Sequence, residues 1–327
     1  MTLSGVLKEP AQCLEIEPGN FDRRAKSNQS AFPPKTSESE RAICKFMNSS
    51  FTAHFPHAME KIYSCWSFWE ANSGKHPVIV GPPGYKGFVP SSTPQFVEEM
   101  LQAMHGAFNV TVTTTDQLND TDVNSAVDPN YPRREFHIFR DDAWKWTEGI
   151  LRHEKVERVG CKGPIRIGIL NRSGSRSILN AEHIRDEVLR YWGSQVEMDV
   201  TTFDAKSFRE QIAWFATHDI IFTGHGAQET GMPFMPKCGA LIEIFPVGYY
   251  IPHYFGTLSD SCHVNHYTVY GNQSSDPHAD TRTMSATYEQ RGKLRATNFC
   301  PATGTILRYF LQVVSDWVSC CESENHD

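Results

Sequence analysis

Between Gly163 and Tyr270 short apolar runs alternate with amphipathic stretches, and no other feature of the chain constrains its fold as strongly. The runs at 165–170, 196–200, 219–223 and 240–245 are brief, apolar and bounded by Gly, Pro, Asp or Asn. Such runs suit strands buried on both faces, as in a parallel sheet. Between them, 179–192 places Ile184, Val188, Leu189 and Trp192 at helical spacing, and 205–216 reads as a second helix. This strand–helix–strand–helix–strand order predicts a Rossmann-like unit. Ligands of such sheets bind beyond the carboxyl ends of the strands. His225, set between Gly224 and Gly226 where the third strand ends, stands at such a place. The alternative is a turn histidine satisfied by a neighbouring carbonyl.

The loop after the first of these strands reads Asn171-Arg172-Ser173-Gly174-Ser175-Arg176-Ser177-Ile178-Leu179-Asn180. Arg172 and Arg176 precede a helix N-terminus, where free N–H groups and the positive end of the dipole favour an anion. Guanidinium forks would add bidentate contacts to phosphate. Alternatively, both arginines are solvated and pair with nearby carboxylates. No Gly-x-Gly-x-x-Gly, phosphate-binding P-loop, Gly-x-Ser-x-Gly elbow or His-Glu-x-x-His occurs, which disfavours nicotinamide, P-loop, hydrolase and metalloprotease readings.

Taken together, His225-Gly226-Ala227, Thr230, Phe234-Met235-Pro236, Ile242-Glu243-Ile244-Phe245-Pro246 and Tyr249-Tyr250 resemble the signature of glycosyltransferase family 61. The arginine-rich loop is similar to the segment that precedes a helix in that family. The likeness is specific over about 163–270 and thin outside it, and Gly231 stands where the family usually has Asn. The resemblance implies a GT-B-like α/β architecture, two Rossmann-like domains with an interdomain cleft. It implies an inverting transfer from a UDP-sugar, xylose or N-acetylglucosamine above all, to a glycoprotein or cell-wall polysaccharide, in the ER or Golgi lumen. No cofactor is required on this reading, and no resident metal is expected. The implied donor-binding residues are Arg172, Arg176, Asn180, His225, Gly226, Ala227, Thr230 and Glu243, the last as a partner for ribose hydroxyls. A structural partner for one of the arginines is the other reading of Glu243. The acceptor's base is open: His225, Asp141, Asp142 or His137. Tyr249 and Tyr250 are expected to line or pack the cleft.

The rest of the chain divides into an irregular leader (1–40), an N-terminal α/β acceptor-side domain (41–160), the donor domain (161–304) and an amphipathic helix with tail (305–327). A helix is expected near 54–70, a strand at 78–80, a helix at 94–108 and a strand at 109–115. A further strand at 135–140 and a helix at 141–153 follow, then a short helix at 253–260 and a strand at 263–270. Residues 116–134 read as a polar loop holding Asp120-Thr121-Asp122, which spells the Asp-x-Asp of metal-dependent GT-A transferases. It lacks the apolar strand that should precede it, so a solvated acidic loop is the competing reading. A net charge of −7 argues against a nucleic-acid partner. No run is long and apolar enough to span a membrane, so membrane attachment would need an anchor outside this sequence. Six Asn-x-Ser/Thr sites (Asn28, Asn48, Asn109, Asn119, Asn171, Asn272) and nine cysteines without zinc spacing point to a lumenal history. Asn171 is a poor glycan carrier because it lies in the arginine loop, and Cys44–Cys65 is the first disulfide to expect. Two other functions compete: a silent homologue that binds nucleotide-sugar without transfer, and a GT-A enzyme built on Asp120 and Asp122.

Overall fold

The structure, a computed structural model, describes residues 15–16, 22–23, 39–45, 55–81, 95–127, 138, 140–246, 249–270, 292–293, 295–296, 298 and 300–324. The expected leader, apart from a few residues, most of the expected strand at 135–140, and His137 therefore lie outside the described residues, while Arg140 opens a helix. In chain order the strands are β1 (Glu15–Ile16), β2 (Asp22–Arg23), β3 (Arg41–Lys45), β4 (His76–Gly81), β5 (Thr111–Thr114) and β6 (Ile165–Leu170). They continue as β7 (Val196–Thr201), β8 (Ile220–Gly224), β9 (Ala240–Phe245), β10 (Asn265–Tyr270) and β11 (Cys300–Pro301). The helices are α1 (Phe55–Glu70), α2 (Gln95–Phe108), α3 (Asp120–Ser125), α4 (Arg140–Glu154), α5 (Ala181–Trp192), α6 (Phe208–Ala216), α7 (His253–Ser261) and α8 (Thr303–Glu324).

The larger sheet runs β2-β10-β9-β8-β6-β7, parallel throughout except for β2, which is antiparallel to β10. Strands alternate their side chains between faces, so each core strand feeds two hydrophobic layers. Ile167, Ile169, Phe222, Ile242 and Ile244 point to the layer built with α5 and α8, while Leu170, Ile221 and Leu241 point to the layer built with α6 and α7. The sheet is thus covered on both faces, which is why its strands read as nearly continuous apolar runs. The crossover from β6 through α5 leads to β7 on one side, and β8 starts on the other. Strand order therefore reverses between β6 and β8, and the loops leaving these neighbours diverge to make a crevice.

The smaller sheet, β3-β4-β5, is also parallel. Its Ile43, Val78 and Val80 pack with Ala126 beyond α3. On the other face α1, α2 and α4 merge with α6 and α7 in a single apolar layer. Aromatic contacts close that layer, with ring centroids 4.9 Å apart for Phe96 and Phe208 and 5.3 Å for Trp146 and Phe234. Arg158 pins the two halves together, its Nε and Nη2 donating to the carbonyls of Phe234 (3.1 Å) and Pro233 (3.0 Å).

Three features depart from the sequence reading. The segment around 42 is a strand, β3, because its apolar side chains alternate between two buried faces. The stretch expected as a polar loop holds a helix, α3, whose first turn is capped by Asn119, Oδ1 accepting from the Asp122 N–H at 2.8 Å. The C-terminal helix, set apart as its own region, is built into the larger unit. Ile306, Phe310, Val313, Trp317 and Cys321 recur along one face and are buried against α5 and the sheet. Its last turn carries two disulfides, Cys161–Cys321 and Cys238–Cys320, and a third joins Cys44 to Cys65 as anticipated.

Candidate functional site

The crevice between β6 and β8 is shaped first by Asn171. Its Oδ1 accepts the N–H groups of Arg172 and Ile178, each at 2.9 Å, and its Nδ2 donates to the Ile178 carbonyl at 3.0 Å. One amide therefore closes the loop on itself, which leaves no room for a glycan. The Ser177 hydroxyl donates to the Arg172 and Gly174 carbonyls, and Arg176 takes a left-handed backbone with φ of 65°. These constraints aim two guanidiniums at the turn after β8. Arg176 Nη1 donates to the His225 carbonyl at 2.9 Å, and Arg172 Nε donates to the Ser175 carbonyl at 2.8 Å. A Cβ on Gly226 would lie 2.5 Å from Arg172 Nη1, so a larger residue there would push that guanidinium aside.

Beneath the arginines lies a buried polar chain. His225 Nδ1 and Glu243 Oε1 share a short hydrogen bond, and His266 Nε2 donates to Glu243 Oε2 at 2.7 Å. Glu243 is fully buried in the middle of β9, and His266 comes from the neighbouring strand β10. The His225 ring stacks on Phe245 at 5.0 Å and lies 5.3 Å from Tyr249 and 5.5 Å from Phe255. With Nδ1 held by Glu243, no hydrogen bond to Nε2 occurs among the described residues, and His225 keeps 6% exposure. Burial, then the charges of Arg176, Arg295 and Arg172, hold its pKa well below the usual 6.5, so the ring is neutral.

A fourth member of this cluster, Glu229, comes from the 3-10 helix Ala227–Phe234. Its Oε1 accepts the Gly226 N–H at 2.5 Å, and its Oε2 is buried with no partner among the described residues. Burial raises its pKa well above the carboxylate range, against the opposing pull of Arg176 and Arg172. The arginines are perturbed in turn. Burial lowers Arg172, and burial together with Arg172 and Arg295 lowers Arg176 to about 10.

The structure brings Arg172, Arg176, His225, Gly226, Glu229 and Glu243 together, and it gives several expected residues other work. Both Glu243 oxygens face imidazoles inside the sheet, so a ribose contact does not fit this position, and its partners are histidines rather than an arginine. Thr230 is buried, its hydroxyl donating to the Ala227 carbonyl at 2.6 Å. Asn180 precedes α5 without capping it, its Nδ2 donating instead to the Pro301 carbonyl at 2.9 Å. Gly231 has no space for the family's Asn, because a Cβ there would meet the Phe215 ring at 2.1 Å. Tyr250 packs on Phe245 and shares a 3.1 Å hydrogen bond with Thr268. Asp141 is exposed and Asp142 half-buried on the first turn of α4, where burial raises the Asp142 pKa.

The Asp-x-Asp reading is corrected. Asp122 is buried, accepts from the Ser39 hydroxyl at 2.7 Å and pairs with Arg41 at 3.2 Å, so it ties α3 to β3 and is neither solvated nor open to a metal diphosphate. Among the described residues two clusters have metal-like spacing, with ligand atoms within 4.8 Å of one another: Cys161, Cys238 and Cys321, and His225, Glu229 and Glu243. The first is consumed by disulfides. In the second, hydrogen bonds engage His225 Nδ1, Glu229 Oε1 and both Glu243 oxygens, and the positive charge of Arg172 and Arg176 opposes a cation. Glu229, His266 and Arg295 escaped the sequence reading. A carboxylate three residues beyond Gly226, able to accept its N–H, was the one signal available for Glu229.

Among solved structures, the chain is similar to the dodecameric iron-containing heptosyltransferase TibC in complex with ADP-D-beta-D-heptose. The two share 9% identity over 79% of this chain and 76% of that one, with a TM-score of 0.31. Comparison with curated proteins gives no match. The family model described as Glycosyltransferase 61 matches residues 76–242, just over half of the chain and including both loops of the crevice. The chain therefore belongs to glycosyltransferase family 61 and is a glycosyltransferase.

Proposed function

We propose that this enzyme transfers a sugar from a UDP-sugar, xylose or N-acetylglucosamine, to a glycoprotein or polysaccharide hydroxyl with inversion at the anomeric carbon. The observation that carries this reading is the pairing, at one crevice, of two half-buried guanidiniums without carboxylate partners among the described residues and a histidine whose Nδ1 is held by a buried glutamate. In the reaction the acceptor oxygen bonds to the anomeric carbon as the bond from that carbon to the diphosphate oxygen breaks. The acceptor proton passes to His225 Nε2. Glu243, holding Nδ1–H, fixes the tautomer that leaves Nε2 as acceptor and stabilises the imidazolium that forms. Arg172 and Arg176 balance the charge that develops on the leaving UDP, the task a metal performs elsewhere. No divalent metal is needed on this scheme.

The acceptor would enter a GT-B-like cleft between the larger unit and the N-terminal α/β unit. Residence in the ER or Golgi lumen is supported by the disulfides among the described residues, bonds that persist in oxidising compartments. No described helix is long and apolar enough to cross a membrane. A second reading, a homologue that binds donor without transfer, is favoured by one observation: the Phe215 ring fills the place of the family's Asn at Gly231.

Calorimetric titration with UDP in EDTA, on wild type and Arg176→Ala, tests the donor site. Binding without metal that is lost in the variant supports it. Equal binding by both proteins refutes the phosphate assignment. UDP release from a panel of UDP-sugars then separates enzyme from silent homologue.

A further inference from the structure

The arginines of the crevice are out of electrostatic balance. Among the described residues, the Arg172 and Arg176 side chains donate to the Ser175 and His225 carbonyls and form no ion pair. Arg176 Nε is buried without a partner. A third arginine joins them from far along the chain. The Asn298 side chain accepts the N–H of Ser177, the residue after Arg176, at 3.0 Å. At the end of β11 the Pro301 carbonyl accepts from Asn180 at 2.9 Å, at the other end of the same loop. Arg295, three residues before Asn298, is tied by this anchoring to the neighbourhood of the loop, at most about 11 Å along the chain from Asn298. It is exposed, and no hydrogen bond or ion pair holds it among the described residues. Its charge acts on Arg172, Arg176 and His225, in each case disfavouring the protonated form.

Three like charges gathered around one turn repel one another, and the buried carboxyl of Glu229 does not neutralise them. A convergence of this kind is stable when an anion with several charges completes it. A diphosphate matches the need: two phosphoryl groups offer enough oxygens for three forks, and its charge removes the repulsion.

We propose that Arg295 is a third guanidinium of the donor-diphosphate site, delivered by the Asn298 and Pro301 anchors and engaged when a nucleoside diphosphate binds. This rests on the reading of Arg172 and Arg176 as that site. It also explains the anchors: they register a distant stretch of chain on the arginine loop, so that donor binding draws on residues far apart in sequence.

The test uses the full chain, titrated calorimetrically with UDP and with inorganic pyrophosphate, for wild type, Arg295→Gln, Arg295→Lys and Arg176→Gln, together with the melting temperature of each unliganded protein. Arg295→Gln should weaken both ligands at least about tenfold, the scale of one charge-assisted contact. Arg295→Lys should recover part of the loss. The unliganded melting temperature of Arg295→Gln should hold or rise, since a repelling charge is gone. If Arg176→Gln loses binding while Arg295→Gln does not, the Arg295 assignment is wrong and the two-arginine site stands. If neither variant changes affinity, the site itself is misplaced. A fall in unliganded melting temperature matching the affinity loss would make Arg295 a structural residue and overturn the proposal.

Discussion

Replacing Glu243 by Gln probes the buried chain with almost no change in shape. The carboxylate accepts from His225 Nδ1 and from His266 Nε2, the latter at 2.7 Å. A carboxamide offers one acceptor and one NH2 group, so one imidazole must give up its N–H on the Glu243 side. If the NH2 faces His225, the ring's proton moves to Nε2 and the acceptor site in the crevice disappears. If it faces His266, the tautomer survives, but the charge that stabilises the imidazolium is gone. Positioned general bases contribute on the order of 10²- to 10⁴-fold, and kcat should fall within that range. Stability should change little, because both hydrogen bonds survive in neutral form, each losing about 1 kcal/mol of charge assistance, while a buried charge is relieved of its desolvation. UDP affinity should stay within about threefold of wild type, since the guanidiniums are held by other loops. Initial rates of UDP release and calorimetric UDP binding, on one preparation of each protein, make the comparison. A kcat within threefold of wild type would show that the link to Glu243 has no part in the chemistry. Proportionate loss of UDP binding would show that it shapes the donor site instead. The wild-type pH profile adds a check. His225 is held well below 6.5, and the neutral ring is the competent base, so the acid limb of kcat/KM should lie well below pH 6.5.

Other perturbations separate the remaining roles. Gly226→Ala should displace Arg172, whose Nη1 would lie 2.5 Å from the new Cβ, and weaken UDP binding at least about tenfold with the fold intact by circular dichroism; unchanged affinity would remove Arg172 from the site. Glu229→Gln should become more stable relative to wild type as pH rises above 4.5. Burial raises the folded-state pKa of Glu229, so above 4.5 the unfolded chain releases a proton that the folded chain keeps, and stability falls with pH until the folded carboxyl ionises. The Gln side chain escapes that penalty while still accepting the Gly226 N–H, and a pH-independent difference in melting temperature would contradict this account. Asp122→Ala should destabilise by about 1–3 kcal/mol through loss of the Ser39 bond and the half-exposed Arg41 pair. It should leave turnover per folded molecule unchanged, with or without manganese; a manganese requirement abolished by the substitution would restore the metal-site reading. Cys238→Ser opens the bond to Cys320, which closes a separation of 82 residues, and should lower stability by up to about 4 kcal/mol by denaturant titration. UDP affinity in the cold should not change, because Cys161–Cys321 still anchors the end of α8.

Where the sequence carried a local period, it predicted structure well. The boundaries of β6 and β9 are those expected, and α2 and α4 differ by about a residue at each end, because apolar runs flanked by Gly and Pro leave few ways to bury both faces. β3 was missed because five residues with a charge at each end show only three apolar positions, too few to display an alternation. α3 was missed because its signal is a cap: Asn119 accepting from Asp122 is a local hydrogen bond within a stretch otherwise rich in loop residues. α8 was recognised as amphipathic, but its place was not, since periodicity reports that a face is buried and not what buries it.

The site was half legible for a related reason. Its crevice-facing groups, Arg172, Arg176 and His225, follow strands, and the rule placing ligands at the carboxyl ends of strands is enough to find them. The groups behind them depend on register. That Glu243 lies under His225 follows from the parallel pairing of β8 with β9, and that His266 reaches the same carboxylate follows from the next pairing, β9 with β10. Neither alignment is written in the local pattern of either strand. What the sequence does carry is an anomaly, a glutamate in the fully buried run Ala-Leu-Ile-Glu-Ile-Phe. A carboxylate in such a place must find donors or be neutralised, and here it finds two imidazoles. Gly231 shows the same logic from the opposite side. The family's polar residue is absent, and the Phe215 ring from α6 fills the space that a side chain there would need. The departure is therefore a change of packing coupled across two elements, and Gly231 and Phe215 can be judged for catalysis only as a pair.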